Sequence, residues 1–472
     1  MFEEEDDNGF FDDSFDKELK RYEEMINAKN VYYFDPEILE QIIEHFIIKN
    51  QLKKGLKAIA IAKDLHPSYI IYDLRKAQIY STNGQLKESL QILMSLEKID
   101  PFNAEIFITK ASVFSQLRDH VKAIKYYEKA IEVSNDDEFL DELEDIRFDL
   151  AMEYENMHNY QSAIKVLSEI LENNPQNEAA IYEIAYCYER IGNFDKCITF
   201  YNKYIDNNPY SFTAWYNLGN IYFLKNNIEK ALWAYDYAIV INEEFASAHF
   251  NMGNTYMQIQ EFDKALEAYQ KCVEIDGDDA LTISYLAEAY ERLERYDEAL
   301  KYYEKSKDLN PSLAEPWLGI GIIHDLKDDT HQAISYLQQA VTLQPENANF
   351  RVVLGEALFK LERLTEAETQ LERALQLDPT YSEAIVLLGQ IKAEFSLSEA
   401  LDFILNFENI KSLDSSVRLF LSSILWKTGK KMESLLLFKK EFLIDPNSAK
   451  TLLLYLPEAE NIADFAQIIE NQ

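Results

Sequence analysis

The side chains in this 472-residue sequence that could carry acid–base, nucleophilic or metal chemistry are seven histidines, three cysteines and 83 Asp plus Glu. His45, His66, His120, His158, His249, His324 and His331 are scattered along the chain. His324 and His331 are spaced to face one another across a helical hairpin, but no cysteine or carboxylate completes a metal set at ligand spacing. Cys187, Cys197 and Cys272 are too few for a disulfide framework in so long a chain, and the first two match no metal-knuckle spacing. There is no phosphate-cradling glycine loop and no Gly-x-Ser-x-Gly elbow. Carboxylates are so abundant that a close pair says nothing about acid–base work. The expectation is a protein that is not an enzyme, with no catalytic residues, no metal site and no cofactor.

The remaining chemistry is non-covalent recognition, and charge constrains it. Lys plus Arg total 46 against 83 acids, a formal net charge of -37. Such a surface repels phosphate backbones and anionic headgroups and attracts basic partners, so nucleic acid is excluded as a partner. Residues 1–7 carry neither a basic n-region nor an apolar h-region, and no run approaches about 18 uninterrupted apolar residues. The chain is therefore expected to be cytoplasmic, without membrane insertion.

Prolines give the elements that must position any recognition surface. Pro67 and Pro101 lie 34 residues apart, as do Pro175 and Pro209, Pro311 and Pro345, and Pro345 and Pro379. Pro209 and Pro311 are three such periods apart, with Glu243 and Gly277 at the skipped positions. Most follow Asp or Asn; proline disfavours helix in the residue before it and lacks the donor that would continue one, so each pair ends one hairpin and starts the next. With only 12 Gly and 11 Pro in all, the spacing predicts long helices joined by short turns.

Within each period two apolar stripes recur at helical spacing. Leu218-Gly219-Tyr222 aligns with Met252-Gly253-Tyr256 and Leu286-Ala287-Tyr290; Leu354-Gly355 and Leu388-Gly389 continue the series. The small residue lets two helices approach closely. The second helix repeats Ala231, Tyr235, Ala238, then Ala265, Tyr269, Cys272, then Ala299, Tyr303, Ser306, which puts Cys272 and Cys197 in alanine slots. Between the helices an apolar residue precedes an acid (Phe194-Asp195, Ile228-Glu229, Phe262-Asp263, Tyr296-Asp297), as a hydrophobic staple followed by an N-cap would.

The stretch Trp215-Tyr216-Asn217-Leu218-Gly219-Asn220-Ile221-Tyr222 closely resembles the first-helix consensus of tetratricopeptide repeats, and Trp317 with Gly321 repeats it less completely. The resemblance implies an all-α fold: a right-handed α-solenoid superhelix of about twelve antiparallel helical hairpins over residues 36–448. It also implies that first helices line a concave groove where partners bind. Residues 1–35, with eight acids and no base from Glu3 to Asp16, read as a disordered acidic leader, either passive or a ligand motif of its own. Residues 449–472 read as a C-terminal capping helix region. Six extra residues around Asn135–Glu144 predict a lengthened helix or turn, and one lost near Ala393–Ser398 a tighter turn.

On the face of the first helices opposite the buried stripe lie Tyr182 and Tyr186, then Tyr216, Asn217, Asn220 and Phe223, then Phe250, Asn251, Asn254 and Met257, then Tyr285 and Glu288. Asn217 with Asn251, and Asn220 with Asn254, form a ladder one period apart whose amides could pair with the backbone of an extended peptide. The aromatic residues add apolar contact area, or else pack between neighbouring units. Chaperone-binding members of the family use lysines on this face; Tyr216 and Phe250 stand there instead, while Glu183, Glu189, Glu288 and Glu291 point to a ligand with Lys or Arg. The expected function is a non-catalytic scaffold binding a basic or amphipathic peptide segment in its groove. The alternative is a structural or regulatory assembly subunit acting through its convex face or ends, with self-association open.

Overall fold

The computed structural model describes residues 9–28, 32–134, 140–407 and 414–470. They fall into two compact units, Met1–Tyr204 and Ile205–Gln472. The fold is an all-α solenoid of helical hairpins: among the described residues, twelve consecutive helix pairs run from Pro36–Ile48 with Leu52–Leu65 to Ser415–Lys427 with Lys431–Ile444.

The hairpin turn is built from backbone geometry that the side chains hardly announce. A residue with positive φ stands at Asn50, Gly84, Arg118, His158, Gly192, Asn226, Gln260, Glu294, Asp328, Glu362 and Gly429. The usual spacing is again one period. In the unit starting at Phe212, the N–H of Asn226 donates to Phe223 O (2.8 Å) and that of Asn227 to Tyr222 O (2.8 Å), closing the last turn of the first helix. Asn227 then caps the second helix, its side chain accepting from Lys230 N at 3.4 Å. The apolar residue of each Ile228-Glu229 type pair is thus the first helical residue and the acid the second; neither is the cap, contrary to the staple expectation. After Phe395 the positive-φ residue is gone: Ser396 (φ -158) ends one helix and caps the next, so the missing residue does tighten the turn.

Packing follows the small-residue slots. A Cβ on Gly219 would lie 2.5 Å from the Tyr235 ring, one on Gly253 2.6 Å from Tyr269, and one on Gly321 2.6 Å from Leu337. Next to them, the position of Trp215 serves the turn between hairpins. Trp215 Nε1 donates to Pro209 O (2.9 Å), Trp317 Nε1 to Pro311 O (3.1 Å) and Arg351 Nε to Pro345 O (2.9 Å). His249 occupies the same slot and bonds the main chain of Glu243. In the last hairpin two departures from the pattern compensate each other: Ser422 and Ser434 exchange hydroxyl-to-carbonyl bonds of 3.0 and 2.7 Å.

The ends differ from the repeats. Within the leader expected to be disordered, Gly9–Ala28 is a helix. Phe15, Leu19, Tyr22 and Met25 fall on one helical face and pack with Phe34, just before the first hairpin, and Phe46 within it, leaving Tyr22 and Met25 buried. Residues 1–8 and 29–31 of that leader lie outside the described residues. So does 135–139 of the six-residue insertion; beyond it Leu140–Asn156 is a 17-residue first helix where most have 13. After Ser448–Tyr455 and a 3-10 turn at Pro457–Asn461, Ala463–Glu470 places Phe465 against Phe438 and Trp426. Cys187, Cys197 and Cys272 are all buried and free.

The two uses of glycine predict different penalties. Gly192 has φ +76 and open space around its Cα, so Gly192→Ala is expected to cost about 1 kcal/mol through the backbone alone. Gly219→Ala must displace the Tyr235 ring and is expected to cost about 1–3 kcal/mol with a changed near-ultraviolet circular dichroism signal. Urea unfolding of the two variants, monitored by near-ultraviolet circular dichroism, checks the contrast.

Candidate partner-binding surface

Three consecutive first helices of the second unit carry most of the candidate residues: Phe212–Leu224, Ala246–Gln258 and Ala280–Arg292. Each buries one stripe, such as Leu218, Gly219 and Tyr222, and leaves the opposite one half-buried. Tyr216, Asn217, Asn220, Phe223, Phe250, Asn251, Asn254, Met257, Tyr285 and Glu288 all belong to that half-buried class.

Their polar groups are engaged with one another. Asn220 Oδ1 accepts from the Tyr235 hydroxyl (2.8 Å) and from Asn251 Nδ2 (2.8 Å), and that same Nδ2 donates to the Tyr216 hydroxyl at 3.0 Å. One unit on, the Tyr269 hydroxyl donates to Asn254 Oδ1 at 2.7 Å. The asparagines therefore tie the second-helix tyrosines to the groove face and join Asn220 to Asn251 diagonally. The ladder of amides presented to a peptide backbone is not formed at Asn220, whose acceptor already serves two donors. Burial raises the Tyr235 and Tyr269 hydroxyls far above the ordinary tyrosine range, so both remain donors at any physiological pH.

The third of these hairpins, Ala280–Arg292 with Tyr296–Leu309, breaks this register. Ala287 stands where Gly219 and Gly253 stand, and the ring of Tyr303 lies instead over Gly319 of the next hairpin, 2.2 Å from where a Cβ would be. Its hydroxyl donates to Glu291 at 2.8 Å, not to Glu288, the counterpart of Asn220 and Asn254. Burial lifts the Glu291 carboxyl to about 7, an effect only partly offset by the bond from Tyr303. Glu291 is thus an internal acceptor, while Glu288 stays at the groove beside Arg292, 3.6 Å away. Where the register breaks, an open pocket of ≈ 750 Å³ is lined by Phe223, Asn254, Met257, Tyr285, Glu288 and Arg292, among others.

The first unit holds Tyr182, half-buried, and Tyr186, exposed and edge-on to Tyr160 with ring centroids 6.4 Å apart. Glu183 is not free for a ligand: it is bonded by Glu155, whose carboxyl burial raises to about 7 and which also accepts from the Cys187 thiol at 3.4 Å. The sequence reading overlooked a further cluster in this unit. Arg75, nearly buried, is paired with Glu40 (2.8 Å), Glu44 (2.5 Å) and Glu105, all on first helices. A lone arginine on a face otherwise rich in acids is the signal that could have revealed it.

Residues 171–386 match the family model described as the cilia and flagella-associated protein 70 C-terminal domain, and residues 104–137 and 144–177 each match one tetratricopeptide-repeat model. No curated protein matches the chain significantly. Among solved structures, the chain is similar to a chain of the APC/C hetero-tetramer Cut9–Hcn1, with 14% identity, 94% of both chains covered and a TM-score of 0.44. It is also similar to a tetratricopeptide repeat protein from Parabacteroides merdae, at 17% identity over 53% of this chain and 98% of the other, TM-score 0.44. A third is YrrB, described as having an unusual peptide-binding site, at 22% identity over 39% of this chain and 95% of that one, TM-score 0.32.

Glu291 yields a pH prediction. Its carboxyl titrates near 7 in the folded chain against 4.5 ordinarily, so its contribution is fully present below 4.5 and is lost as pH rises through 7. Glu291→Gln keeps an acceptor for Tyr303 without the charge. The variant is expected to be more stable than wild type by about 1–3 kcal/mol at pH 8, and by much less at pH 5. Urea titrations at the two pH values measure the difference.

Proposed function

Because this chain is a tetratricopeptide-repeat protein, we propose that it is a non-catalytic protein-interaction scaffold that holds a basic or amphipathic polypeptide segment against the first helices of its second unit. The supporting observation is the pocket of ≈ 750 Å³, where Phe223, Asn254, Met257, Tyr285 and Glu288 converge from three consecutive first helices. Phe223, Met257 and Tyr285 provide apolar and aromatic contact, and preformed side-chain bonds hold Asn254 and its neighbours in place before a ligand arrives. Glu288 is the acid at the rim, beside Arg292. Its ion pair with Arg292 is half-exposed and weak, so an incoming lysine or arginine can replace it at little cost. The net charge of -37 favours basic partners over acidic ones in the approach.

Fluorescence anisotropy with a labelled Lys/Leu amphipathic peptide tests the proposal. Asn254→Ala/Tyr285→Ala is expected to weaken binding about 10-fold or more, and Glu288→Gln to flatten its salt dependence. An unchanged Kd in the double variant would remove the pocket from the reading.

A second reading, an assembly subunit acting through the side of its hairpins away from the first helices, is favoured by one observation. On Ile228–Ile241, Trp233 (44% exposed), Tyr237 (43%) and Val240 (70%) form an apolar outer stripe, with Trp233 and Tyr237 packed edge-to-face at 5.1 Å. Under this reading light scattering of the purified chain gives a stable oligomer that Trp233→Glu dissociates; a monomer at micromolar concentration counts against self-association.

A further inference from the structure

Apart from the shortened Leu397–Leu405, the second helices of the second unit align position by position from their starts at Ile228, Phe262, Tyr296, Thr330, Leu364 and Lys431. Comparison along that register separates what the repeat requires from what it does not. The second, sixth and thirteenth helical positions face solvent in every one of these helices. In the four middle hairpins all of them are polar: Asp263, Glu267 and Glu274, then Asp297, Lys301 and Asp308, with His, Ser and Thr, then Thr, Thr and Gln, in the two that follow. In Lys431–Ile444 the same positions are Met432 (82% exposed), Leu436 (58%) and Leu443 (57%). Packing of the hairpin does not ask for these side chains.

Charge distinguishes this face further. Lys439 and Lys440 flank the stripe on either side at about 100° per residue, and Lys430 and Lys431 stand at its start. Among the described residues no ion pair joins a carboxylate to any of the four; of the two acids on this helix, Glu441 is buried against Arg418 at 2.6 Å and Glu433 alone faces solvent, in the first turn. A chain of net charge -37 thus presents, on one helix, an apolar stripe edged by unpaired lysines. Met432 to Leu443 spans eleven residues, about 16 Å on a helix, which is the footprint of three turns of a partner helix.

We propose that the outer face of Lys431–Ile444 is a second docking surface, taking an acidic polypeptide segment that carries large apolar side chains at helical spacing. The apolar stripe supplies contact area and the lysines select the charge. An anionic membrane offers the same charge over a much wider area, which would bring the acidic repeats themselves against it. A segment one helix wide meets only the local patch, since charges beyond about 8 Å are screened at physiological salt.

The test uses the full chain and a labelled peptide with the sequence of residues 1–16, which combines eight acids with Phe2, Phe10, Phe11 and Phe15. Saturable binding is expected, weakened about 5-fold or more between 50 and 300 mM salt. It should weaken about 10-fold or more in Leu436→Asp and in Lys439→Glu/Lys440→Glu, both on exposed positions, with unchanged far-ultraviolet circular dichroism. The groove variant Asn254→Ala/Tyr285→Ala should bind this peptide as wild type does, which keeps the outcome separate from that of the groove. No saturable binding, equal binding in the outer-face variants, or equal binding of a peptide with its acids replaced by lysine would overturn the proposal. So would co-sedimentation with phosphatidylserine vesicles that depends on Leu436 when the peptide does not bind.

Discussion

Everything in the repeat depends on how closely one helix can lie against another, and in the first two hairpins of the second unit that distance is set by an aromatic ring resting on a glycine. Tyr235 occupies the space a Cβ of Gly219 would need, and Tyr269 that of Gly253. A ring held there has only one direction in which to send its hydroxyl, and it reaches the side-chain amide of Asn220 or Asn254 on the groove face. The packing contact and the groove's polar order are therefore one construction. A buried tyrosine hydroxyl needs an acceptor, and the asparagine that supplies it becomes rigid. When alanine takes the glycine slot, as at Ala287, the ring moves to the next available gap at Gly319 and its hydroxyl to Glu291. The pocket lies where this construction changes.

Acidity has two faces in this molecule. Most of the acids among the described residues are solvated or paired at the surface, where an ion pair contributes little. A few carboxyls, Glu155 and Glu291 among them, are drawn inward, where loss of water favours their neutral form and their hydrogen bonds go to hydroxyl, thiol or carboxyl groups. Such groups hold the hairpins together best when protonated. Counting acids on the groove side of a helix therefore overstates the negative charge a ligand meets, and Glu183 and Glu291 are two of the four that do not contribute as counted.

The period, the helices and their pairing were legible because proline and glycine leave marks that local sterics make compulsory. The hairpin turn was not, because its positive-φ residue is glycine only at Gly84, Gly192 and Gly429 and elsewhere varies among Asn, Asp, His, Arg, Gln and Glu, of which the last three give no sign of a left-handed backbone. The backbone bonds that close each first helix fix that residue, whatever its side chain. The leader helix was hidden by charge: eight acids conceal the spacing of Phe15, Leu19, Tyr22 and Met25, which is what an amphipathic helix needs once a hairpin offers a partner face. The candidate groove residues could be placed on a face from spacing alone. Their mutual bonds could not, since Asn251 reaching Asn220 rather than its own counterpart depends on the offset between hairpins.

A repeat array also provides its own control. Each position is sampled many times under nearly the same packing, so a residue type that recurs is explained by the hairpin and one that does not needs another cause. Glycine under a ring recurs, and so does the donor that Trp215, Trp317 and Arg351 aim at the inter-hairpin turn. Solvent-facing Trp233 and Leu436 do not recur: the hairpins between them carry Glu267, Lys301, Ser335, Thr369 and Asp402 at that position. Placing a large apolar group in water gives up the transfer free energy that burying it would recover. The fold recovers only part of it at these two places, where Trp233 stays 44% and Leu436 58% exposed, and a partner that covered them would recover the rest.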